Sequence, residues 1–480
     1  MKTKYLYICL LLLIGFVGLS SCKVGKPYAR PDLQLPDSII AGQDSVSMGD
    51  MQWWQVYADS SLMQIINQAL DYNKDMLMAS ARIREMAERK RISTAALIPN
   101  ISGRVNDNYE RENHGGDALK AVNTFDVQLL FSWEIDLWGN LRWGRTASIA
   151  QYLQTVEAQR ALQMTIVSEV AQAYYELVAL DTELEIVRQT LKAREEGLQL
   201  AKIRFEGGLT SETSYRQAVV EHARTAALVP DLERRIALKE SDIAFLTGDY
   251  PRAVERGKLL TDFTLPDNLP VGLPSDLLER RPDIRQAEQR LVAIHAQMGV
   301  AYTDMFPRIR LTAGAGVETV DMAAFFRSPY ETVAASLLTP IFNWGKLRAA
   351  WKASKAAYEA ETYAYEKAVL NAFKETHNAI VNYNKMQEIY EMRVSLENSA
   401  RSYLDLAQLQ YINGVINYMD VLDAQRGYFD AQIGLSNAIR DELLAVVQLY
   451  KSLGGGWQVP DEQSVPADNK AKTPKRKKDK

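Results

Sequence analysis

Apolar and polar residues alternate along one segment near residue 130. The odd positions from 125 to 137 are Phe, Val, Leu, Phe, Trp, Ile and Leu, and the even positions between them are polar except for Leu130. A period of two that lasts 13 residues predicts a β-strand about twice the average length. We predict this strand at about 121–137, with a less regular partner strand at about 100–113.

Similar alternation predicts a second pair of strands later in the chain. Ile309 and Leu311 begin an alternating run, from which we predict a strand at about 308–320. The fourth strand is predicted at about 331–342, where Pro340 has no amide to donate to a neighbouring strand.

Each strand pair leads into a long segment without proline. Residues 140–206 and 346–413 contain none, and the second segment contains no glycine either. A helix over either range would be about 100 Å long at about 1.5 Å per residue, so it needs neighbours along its length. Apolar residues spaced at sevens from Val170 to Leu198 predict a coiled-coil seam on the first helix.

Glycine turns follow both predicted helices. Gly207 and Gly208 end the first helix, and Gly414 ends the second. Glycine just past a helix end is typical of a left-handed cap, after which the chain can reverse its direction. We therefore predict return helices over 211–247 and 417–453.

The chain contains an internal repeat. The sequence WGNLR at 138–142 returns 206 residues later as WGKLR at 344–348, each time between a predicted strand and a predicted helix. The glycine turns keep this offset, while Pro99 and Pro307, which precede the first strand of each half, are 208 residues apart. Such equal spacing indicates two structural repeats.

The repeats define the domain organisation. We place them at 61–248 and 275–456, with a connector at 249–274. Each begins with a helical segment, predicted at 60–97 in the first repeat and 282–305 in the second. The strand–helix junctions lie at Trp138, Gly139, Trp344 and Gly345.

The N-terminus has the pattern of a secretory signal peptide. Two lysines precede an apolar run over residues 5–19, and small residues follow. The letters LSSC resemble the lipobox of bacterial lipoproteins, in which the cysteine is lipidated and becomes the first residue after cleavage. We therefore expect a signal peptide at 1–21, a lipid on Cys22 and a lipid-anchored segment at 22–60.

Composition argues against a polyanionic partner and against catalysis. The formal net charge of the 480 residues is −4, so we expect no nucleic acid partner. The basic run within 457–480 predicts a disordered tail.

His114, His222, His295 and His377 lack metal-ligand spacing, and no nucleophile motif or phosphate loop occurs. We expect no catalytic residue, metal, cofactor or enzyme activity.

Long alternating strands in an exported, lipid-anchored chain predict membrane strands, because about 9–11 tilted residues cross a bilayer. The apolar face would meet lipid and the polar face would meet water. The alternative is a soluble sandwich with residues 125–137 in its core. Four strands cannot close a barrel, and an open edge in lipid leaves backbone groups unsatisfied. A membrane arrangement therefore requires several copies of the chain.

Six segments carry a family resemblance. They are CKVGKPYARP after the lipobox, WWQVYADSSL at 53–62, LPSDLLERRPDIRQAEQRL at 273–291, MGVAYTDMFPRIRLTAGAG at 298–316, TPIFNWGKLR at 339–348 and NYMDVLDAQR at 417–426. Together they resemble the outer membrane factor family, the TolC-like proteins, and within it the lipoproteins of the NodT and OprM kind. The similarity covers nearly the whole mature chain and is most specific at 273–316.

The resemblance implies a fold that is mainly α with membrane β. In this TolC-like fold a trimer forms a twelve-stranded outer membrane β-barrel, which a long twelve-helix periplasmic α-barrel continues, with a mixed equatorial domain. It implies an exit duct for small toxic compounds or drugs in a tripartite efflux pump. The implied partners are two further copies, a periplasmic adaptor, an inner membrane transporter of the RND (resistance-nodulation-division) type and outer membrane lipid.

The resemblance also implies functional residues at the periplasmic tip. Met419 and Asp423 match the positions of an apolar ring and an acidic ring that close the channel, and Asp420 is the neighbouring candidate. A methionine stands where leucine is more usual. The tip that docks the adaptor would comprise Gly207, Gly208, Ser211, Gly414 and Asn417.

Two other functions stay open at this point. An exit duct of the same construction could serve an ABC-type exporter of peptides or proteins. A structural coiled-coil lipoprotein is the third hypothesis, against which the two alternating strand pairs argue. We assign no function to the sequence RRPD at 280–283, because proline and an acidic residue there are typical of a helix start.

Overall fold

The computed structural model of the chain describes residues 23–36, 47–57, 59–112, 120–263, 270 and 274–457. The predicted signal peptide, the lipidation site Cys22 and the predicted tail from residue 458 onward lie outside these residues. The elements up to the end of the first repeat are α1 (Trp53–Val56), α2 (Ser60–Tyr72), α3 (Lys74–Ala95), β1 (Asn100–Glu112), β2 (Lys120–Ile135), α4 (Asn140–Glu206), α5 (Glu212–Ala226) and α6 (Leu228–Leu246). The later elements are α7 (Pro274–Arg280), α8 (Pro282–Thr303), β3 (Arg308–Thr319), β4 (Pro329–Leu338), α9 (Lys346–Ile412) and α10 (Tyr418–Ser452).

The strands form one antiparallel sheet of four strands in the order β1-β2-β3-β4. Strands β2 and β3 pair across the two repeats, with Ile135 opposite Ile309. In every pair, odd-numbered residues lie opposite odd-numbered residues, so the alternation places the apolar residues on one face. Large side chains on this face, such as Ile101 and Val333, are exposed in the single chain.

The fourth strand differs from its predicted range. It spans Pro329–Leu338, whereas we predicted about 331–342. Strand β4 lies at the edge of the sheet and stops before Pro340, a residue that cannot donate a ladder hydrogen bond.

The described residues divide into two compact units. The sheet unit falls within Met1–Leu33, Ala81–Glu157 and Arg285–Ala368, and the helical unit within Gln34–Ser80, Ala158–Ile284 and Val369–Lys480. Helices α4 and α9 each have 67 residues, and both begin in the sheet unit and continue in the helical unit.

Both repeats contribute to the core of the helical unit. Leu62 and Ile66 of α2, Val170 and Tyr174 of α4, and Tyr450 of α10 are fully buried in one cluster. Burying a large apolar side chain contributes about 1.5–3 kcal/mol. Because α10 belongs to the second repeat, the two repeats are held together by this shared core.

The predicted seam on α4 is buried only in part. Val170, Leu177 and Leu184 are buried in the single chain, whereas Leu191 and Leu198 are half-buried. The first half of the apolar stripe therefore has its packing partners within the chain.

Two segments predicted as single helices are each divided. The return segment 211–247 breaks at Ala227 into α5 and α6. Pro230 explains the break, because proline has no amide for a helical hydrogen bond and is tolerated only in a first turn. The segment 60–97 breaks at Asn73, whose Oδ1 accepts from the amides that open α3.

None of the helices in the described part of the chain is both long and apolar enough to cross a membrane.

A buried carboxylate fixes the start of α2. Asp59 Oδ1 accepts hydrogen bonds from the amides of Ser61 at 2.8 Å and Leu62 at 3.1 Å. Its Oδ2 accepts a hydrogen bond of 3.0 Å from the hydroxyl of Tyr174 on α4. Burial raises the pKa of Tyr174 to about 12, so the hydroxyl stays protonated and can donate. Asp59 therefore caps one helix and ties it to another.

We predict that Asp59→Ala lowers the free energy of unfolding of the helical unit by about 2–3 kcal/mol, because it removes a cap and leaves the buried hydroxyl proton of Tyr174 without its acceptor. Circular dichroism during urea unfolding of the detergent-solubilised chain measures this loss. Asp59→Asn keeps an acceptor oxygen and should lose about 1 kcal/mol or less. Equal unfolding midpoints for the alanine variant and the parent would contradict this role.

Candidate functional site

The two glycine turns have the same geometry. Gly208 and Gly414 have φ angles of 73° and 75°. The amide of the following residue, Leu209 or Val415, donates to a carbonyl five residues back at 2.9 Å. This is the hydrogen bond of a Schellman cap, which requires the left-handed conformation that glycine adopts most readily. Leu209 is 77% exposed and Val415 is 70% exposed, so each turn presents an apolar side chain to its surroundings.

A capping box starts α10. Asn417 Oδ1 accepts from the amides of Met419 at 2.8 Å and Asp420 at 3.3 Å, and Asp420 Oδ2 accepts from the amide of Asn417 at 3.2 Å. Ser211 is the N-cap residue of α5 in the first repeat. The carboxylate of Asp420 is therefore engaged in the cap, which satisfies amides that the helix leaves free.

The residues predicted for the gate lie in the first two turns of α10. Met419 is 42% exposed, and Asp423, four residues later, is also exposed. A spacing of four places the two side chains on one face of the helix. The structure thus brings an apolar and an acidic side chain together beside the second glycine turn.

A buried ion cluster joins three helices next to these turns. Glu221 of α5 is 2% exposed. Its carboxylate lies 3.0 Å from Arg194 of α4, 2.7 Å from Arg426 of α10 and 3.2 Å from Arg224 of α5. Arg194 also donates to the hydroxyl of Thr225. The cluster is fully within the helical unit and links both repeats.

The surrounding cations control the ionisation of Glu221. The hydrogen bond from Arg426 holds the pKa of the Glu221 carboxyl below its usual range, against the opposing effect of burial, and the charges of the three arginines add to the shift. We did not predict this cluster. Arg426 ends the segment NYMDVLDAQR, but nothing in the sequence pairs it with a glutamate 205 residues earlier.

An aromatic contact joins the ends of the long helices. The guanidinium of Arg204 on α4 lies 4.7 Å from the ring centroid of Tyr411 on α9. The ring of Tyr411 is 5.6 Å from that of Tyr418 on α10. These contacts hold the two turns of one chain close to each other.

The first strand–helix junction packs against residues of the second repeat. Trp138 Nε1 donates to the carbonyl oxygen of Pro307 at 2.8 Å. Gly139 has a φ of 83°, and a Cβ there would lie 2.9 Å from a side-chain atom of Lys23. Asp136 accepts hydrogen bonds from the first amides of α4, where a negative charge stabilises the helix start.

The second junction repeats the Trp-Gly pair but has different surroundings. Trp344 is 90% exposed and has a φ of 52°, and Gly345 has a φ of 78°. The ring of Phe342 lies 4.8 Å from that of Trp344.

The segment that follows the predicted lipidation site is bound beside the first junction. Lys23 Nζ donates to Thr146 Oγ1 at 3.0 Å and lies 3.3 Å from the ring centroid of Trp143. Arg30 forms a bidentate ion pair with Glu288, both contacts being 2.7 Å. Lys23 follows Cys22 directly, so the chain is fixed one residue after the predicted lipid.

Comparison with known sequences identifies the family. A sequence model of the outer membrane efflux protein family matches residues 65–249 and 273–455. The chain belongs to the outer membrane efflux protein family. It is 31% identical over 474 residues to the solvent efflux pump outer membrane protein SrpC of Pseudomonas putida, covering 96% of this chain and 99% of SrpC. It is 30% identical to the outer membrane protein OprJ of Pseudomonas aeruginosa, covering 92% and 94% of the two chains.

Solved structures of outer membrane channels share the fold. The outer-membrane channel OprN superposes with a TM-score of 0.85 at 29% identity, covering 91% of this chain and all of OprN. The open state of the MtrE channel of Neisseria gonorrhoeae gives a TM-score of 0.84 at 26% identity, covering 91% and 99%. The predicted TolC-like fold class is confirmed, and the efflux protein belongs to the outer membrane, as predicted.

These relatives are named as channels and pump components, not as enzymes. Within the described residues, no group of three His, Cys, Asp or Glu side chains is arranged to hold a metal ion.

We predict that Glu221→Gln destabilises the helical unit by about 3 kcal/mol, because it removes the carboxylate that is paired with the buried guanidinium of Arg194. The matched control is Glu212→Gln on the same helix. Its exposed ion pair with Arg216 should contribute less than about 0.5 kcal/mol. Urea unfolding of both variants measures the difference, and equal losses would contradict the buried cluster.

The difference in unfolding free energy between the parent and Glu221→Gln depends on pH. Because the pKa of Glu221 is lower in the folded than in the unfolded chain, its stabilisation is fully present above the unfolded value of about 4.3. It is lost as the pH falls through the folded pKa. The stability difference between parent and Glu221→Gln should therefore be constant from pH 7 to 5 and shrink in more acidic solution. A difference that grows on acidification would contradict the assignment.

Proposed function

We propose that this efflux protein is the exit duct of a tripartite pump, which passes small toxic compounds out of the cell through a homotrimer. The observation that carries the proposal is the sheet of four strands, which has an apolar face and two unpaired edges, in a chain of the efflux family. The relatives named as solvent and toluene efflux components support small apolar compounds as the substrate class.

The sheet supports a trimeric barrel. Strands β1 and β4 form its outer edges, and an unpaired edge is not tolerated within the hydrocarbon of a membrane. Three copies of the four strands supply twelve, an even number in the range of outer membrane barrels. The twelve-helix periplasmic barrel would follow from the same count, with α4, α9, α10 and the α5–α6 segment, taken as one, from each copy.

Met419 and Asp423 are our candidates for the closed gate. Three copies of Asp423 around an axis would attract cations and repel one another, and Met419 would form the apolar ring. The capping box of α10 explains Asp420 without a role in the gate.

The glycine turns are our candidates for adaptor docking. Leu209 and Val415 are exposed at equivalent positions, so an adaptor could bury an apolar side chain at both turns. Gly207, Gly208 and Gly414 hold the turns in shape, and Ser211 and Asn417 flank them. The inner membrane partner in this proposal is an RND-type transporter, and an ABC-type exporter is the alternative.

We also propose that the mature chain is anchored through a lipid on Cys22. The contacts of Lys23 and Arg30 would hold this anchor beside the first strand–helix junction, where lipid is expected. We propose no enzyme activity, metal or cofactor.

In-cell photo-cross-linking at the tip tests the partners. Photoreactive residues replacing Ser211 and Asn417 should capture an adaptor, and mass spectrometry of the enriched complexes should recover an RND-type transporter. Recovery of an ABC-type transporter would move the proposal to peptide or protein export. A probe at Asp242, on the exposed side of α6, is the control and should capture neither. Failure to capture any adaptor would contradict the pump assignment.

Ion selectivity tests the gate. We predict that Asp423→Asn lowers the cation-to-anion permeability ratio of the reconstituted channel at least about twofold. A unit charge about 10 Å away in water changes the energy of an ion by about 0.4 kcal/mol, which is a factor of about two. Reversal potentials in planar bilayers under a salt gradient measure the ratio. Asp242→Asn should leave it unchanged, and an unchanged ratio in Asp423→Asn would remove this residue from the gate.

A further inference from the structure

The start of α9 carries lysines that the equivalent part of α4 lacks. The repeat offset of 206 aligns the two helices, and Arg142 of α4 is kept as Arg348 of α9. Three neutral residues are replaced by lysine, namely Asn140 by Lys346, Thr146 by Lys352 and Ile149 by Lys355. Residues 346–355 therefore carry four cations and no acidic residue.

These four cations have no countercharge in the part of the chain that the structure describes. All four side chains are exposed, and none forms an ion pair or a hydrogen bond with another described residue. At the first junction, by contrast, Arg142 is paired with Asp136 at 3.1 Å. Phe342 takes the place of Asp136 at the second junction, so the acid that neutralises the first junction is missing from the second.

Contacts of α4 show which side of the helix these positions occupy. Lys23, which follows the proposed lipid anchor, donates to Thr146 at 3.0 Å. Arg142 lies four residues before Thr146 and Ile149 three residues after it, so the three share one side of α4. The lipid-anchored segment therefore lies on this side. The equivalent residues of α9 form what we call the cationic stripe, which consists of Arg348, Lys352 and Lys355.

Another side of α4 packs against a neighbouring helix. Trp143 and Ala147 are buried in a cluster with Ala296 of α8, and Ala150 is buried on the same side. The equivalent residues of α9, at 349, 353 and 356, are all alanine. Small residues allow a neighbouring helix to approach closely. This side of α9 is thus suited to helix packing, which leaves the cationic stripe free to face outward.

The anchored segment covers the first junction but not the second. A Cβ on Gly139 would lie 2.9 Å from a side-chain atom of Lys23. A Cβ on Gly345 would meet no atom of the described residues within 4 Å. The surface beside the cationic stripe is therefore uncovered in the single chain.

We propose that the cationic stripe, together with Lys346, binds the phosphate groups of anionic phospholipids in the inner leaflet of the outer membrane. The inference rests on the proposed exit duct, in which the sheet crosses the membrane and the helices continue into the periplasm. Both junctions then lie at the inner surface of the membrane. The covalent lipid on Cys22 holds the first junction there, and noncovalently bound lipid holds the second.

The depth of the four cations fits a headgroup layer. Lys346 begins α9, and Lys355 lies about 14 Å further along a helix that rises about 1.5 Å per residue. The headgroup region of one leaflet is about 5–7 Å thick, and a charged surface acts over about a further 8 Å at physiological salt. Lys346 and Arg348 would therefore contact phosphates directly, while Lys352 and Lys355 would lie within the field of the surface.

The residues before α9 also suit a membrane surface. Phe342 and Trp344 are exposed, with their rings 4.8 Å apart. Aromatic side chains are enriched at the boundary between hydrocarbon and headgroups. Phosphate accepts charge-assisted hydrogen bonds from lysine and arginine, and each such residue near an anionic membrane surface strengthens attraction about fivefold.

Lysine labelling tests the contact in the full-length protein, reconstituted in nanodiscs of either phosphatidylglycerol or phosphatidylcholine. An uncharged, water-soluble acylating reagent modifies accessible amines, and mass spectrometry of the peptides gives the rate at each lysine. We expect Lys346 and Lys352 to react about fivefold more slowly in phosphatidylglycerol. Lys367 and Lys374, exposed on the same helix further from the junction, are the controls and should react equally in both lipids.

Equal and fast labelling of Lys352 in the two lipids would overturn the proposal. Equal and slow labelling would also overturn it, because a second copy or another protein segment would then cover the stripe. Light scattering of the same particles counts the chains independently. Trimers with unprotected lysines would overturn the lipid site alone, whereas the absence of trimers would overturn the proposed function and with it this inference.

Removal of charge gives a second test. Native mass spectrometry of the full-length trimer with added phosphatidylglycerol measures lipid affinity. Combining Arg348→Gln, Lys352→Gln and Lys355→Gln should weaken binding at least about tenfold. The matched control removes the same charge from exposed positions further along α9, by combining Lys367→Gln, Lys374→Gln and Arg401→Gln. Equal affinities for the two triple variants would overturn the stripe as the binding site.

Discussion

Backbone hydrogen bonding at the two edges of the sheet is the constraint from which the rest of the arrangement follows. Strands β1 and β4 each present a row of amides and carbonyls outward. Every such group left unpaired in hydrocarbon costs several kcal/mol, so an isolated four-stranded sheet is not stable in a membrane. The pairing of β2 with β3 solves this problem between the two repeats inside one chain. Duplication of a strand hairpin therefore halves the number of chains needed to close a barrel.

The long helices face a related constraint. Helices of 67 residues are stable only when neighbours cover them along their length. The return helix α10 meets this need with small buried residues at every seventh position, namely Ala424, Ala431, Ala438, Ala445 and Ser452. Small side chains at the interval of two helical turns allow the backbones of adjacent helices to approach closely. Charged contacts such as Glu221 with Arg426 then fix the helices beside the turns.

Local pattern in the sequence was sufficient to predict the elements, because period-two alternation and the absence of proline act over neighbouring residues. Breaks within the helices were harder to predict. The break that Pro230 causes in the return helix was missed because an amphipathic pattern continues across it. The ion cluster at Glu221 could not be predicted, since its members lie up to 205 residues apart and no local signal pairs them. Asp420 illustrates a third case, in which the candidate next to the family's gate positions also forms half of a capping box. The similar sequences at Trp138 and Trp344 lie in different environments, because the first indole is hydrogen-bonded to Pro307 and the second is 90% exposed in the single chain.

Electron cryo-microscopy of the full-length protein in lipid nanodiscs tests the central claim most directly. The account predicts a threefold particle in which every strand edge is paired and β4 of each chain lies beside β1 of the next. A particle with a free edge at β1 or β4, or one assembled from a number of chains other than three, would contradict it.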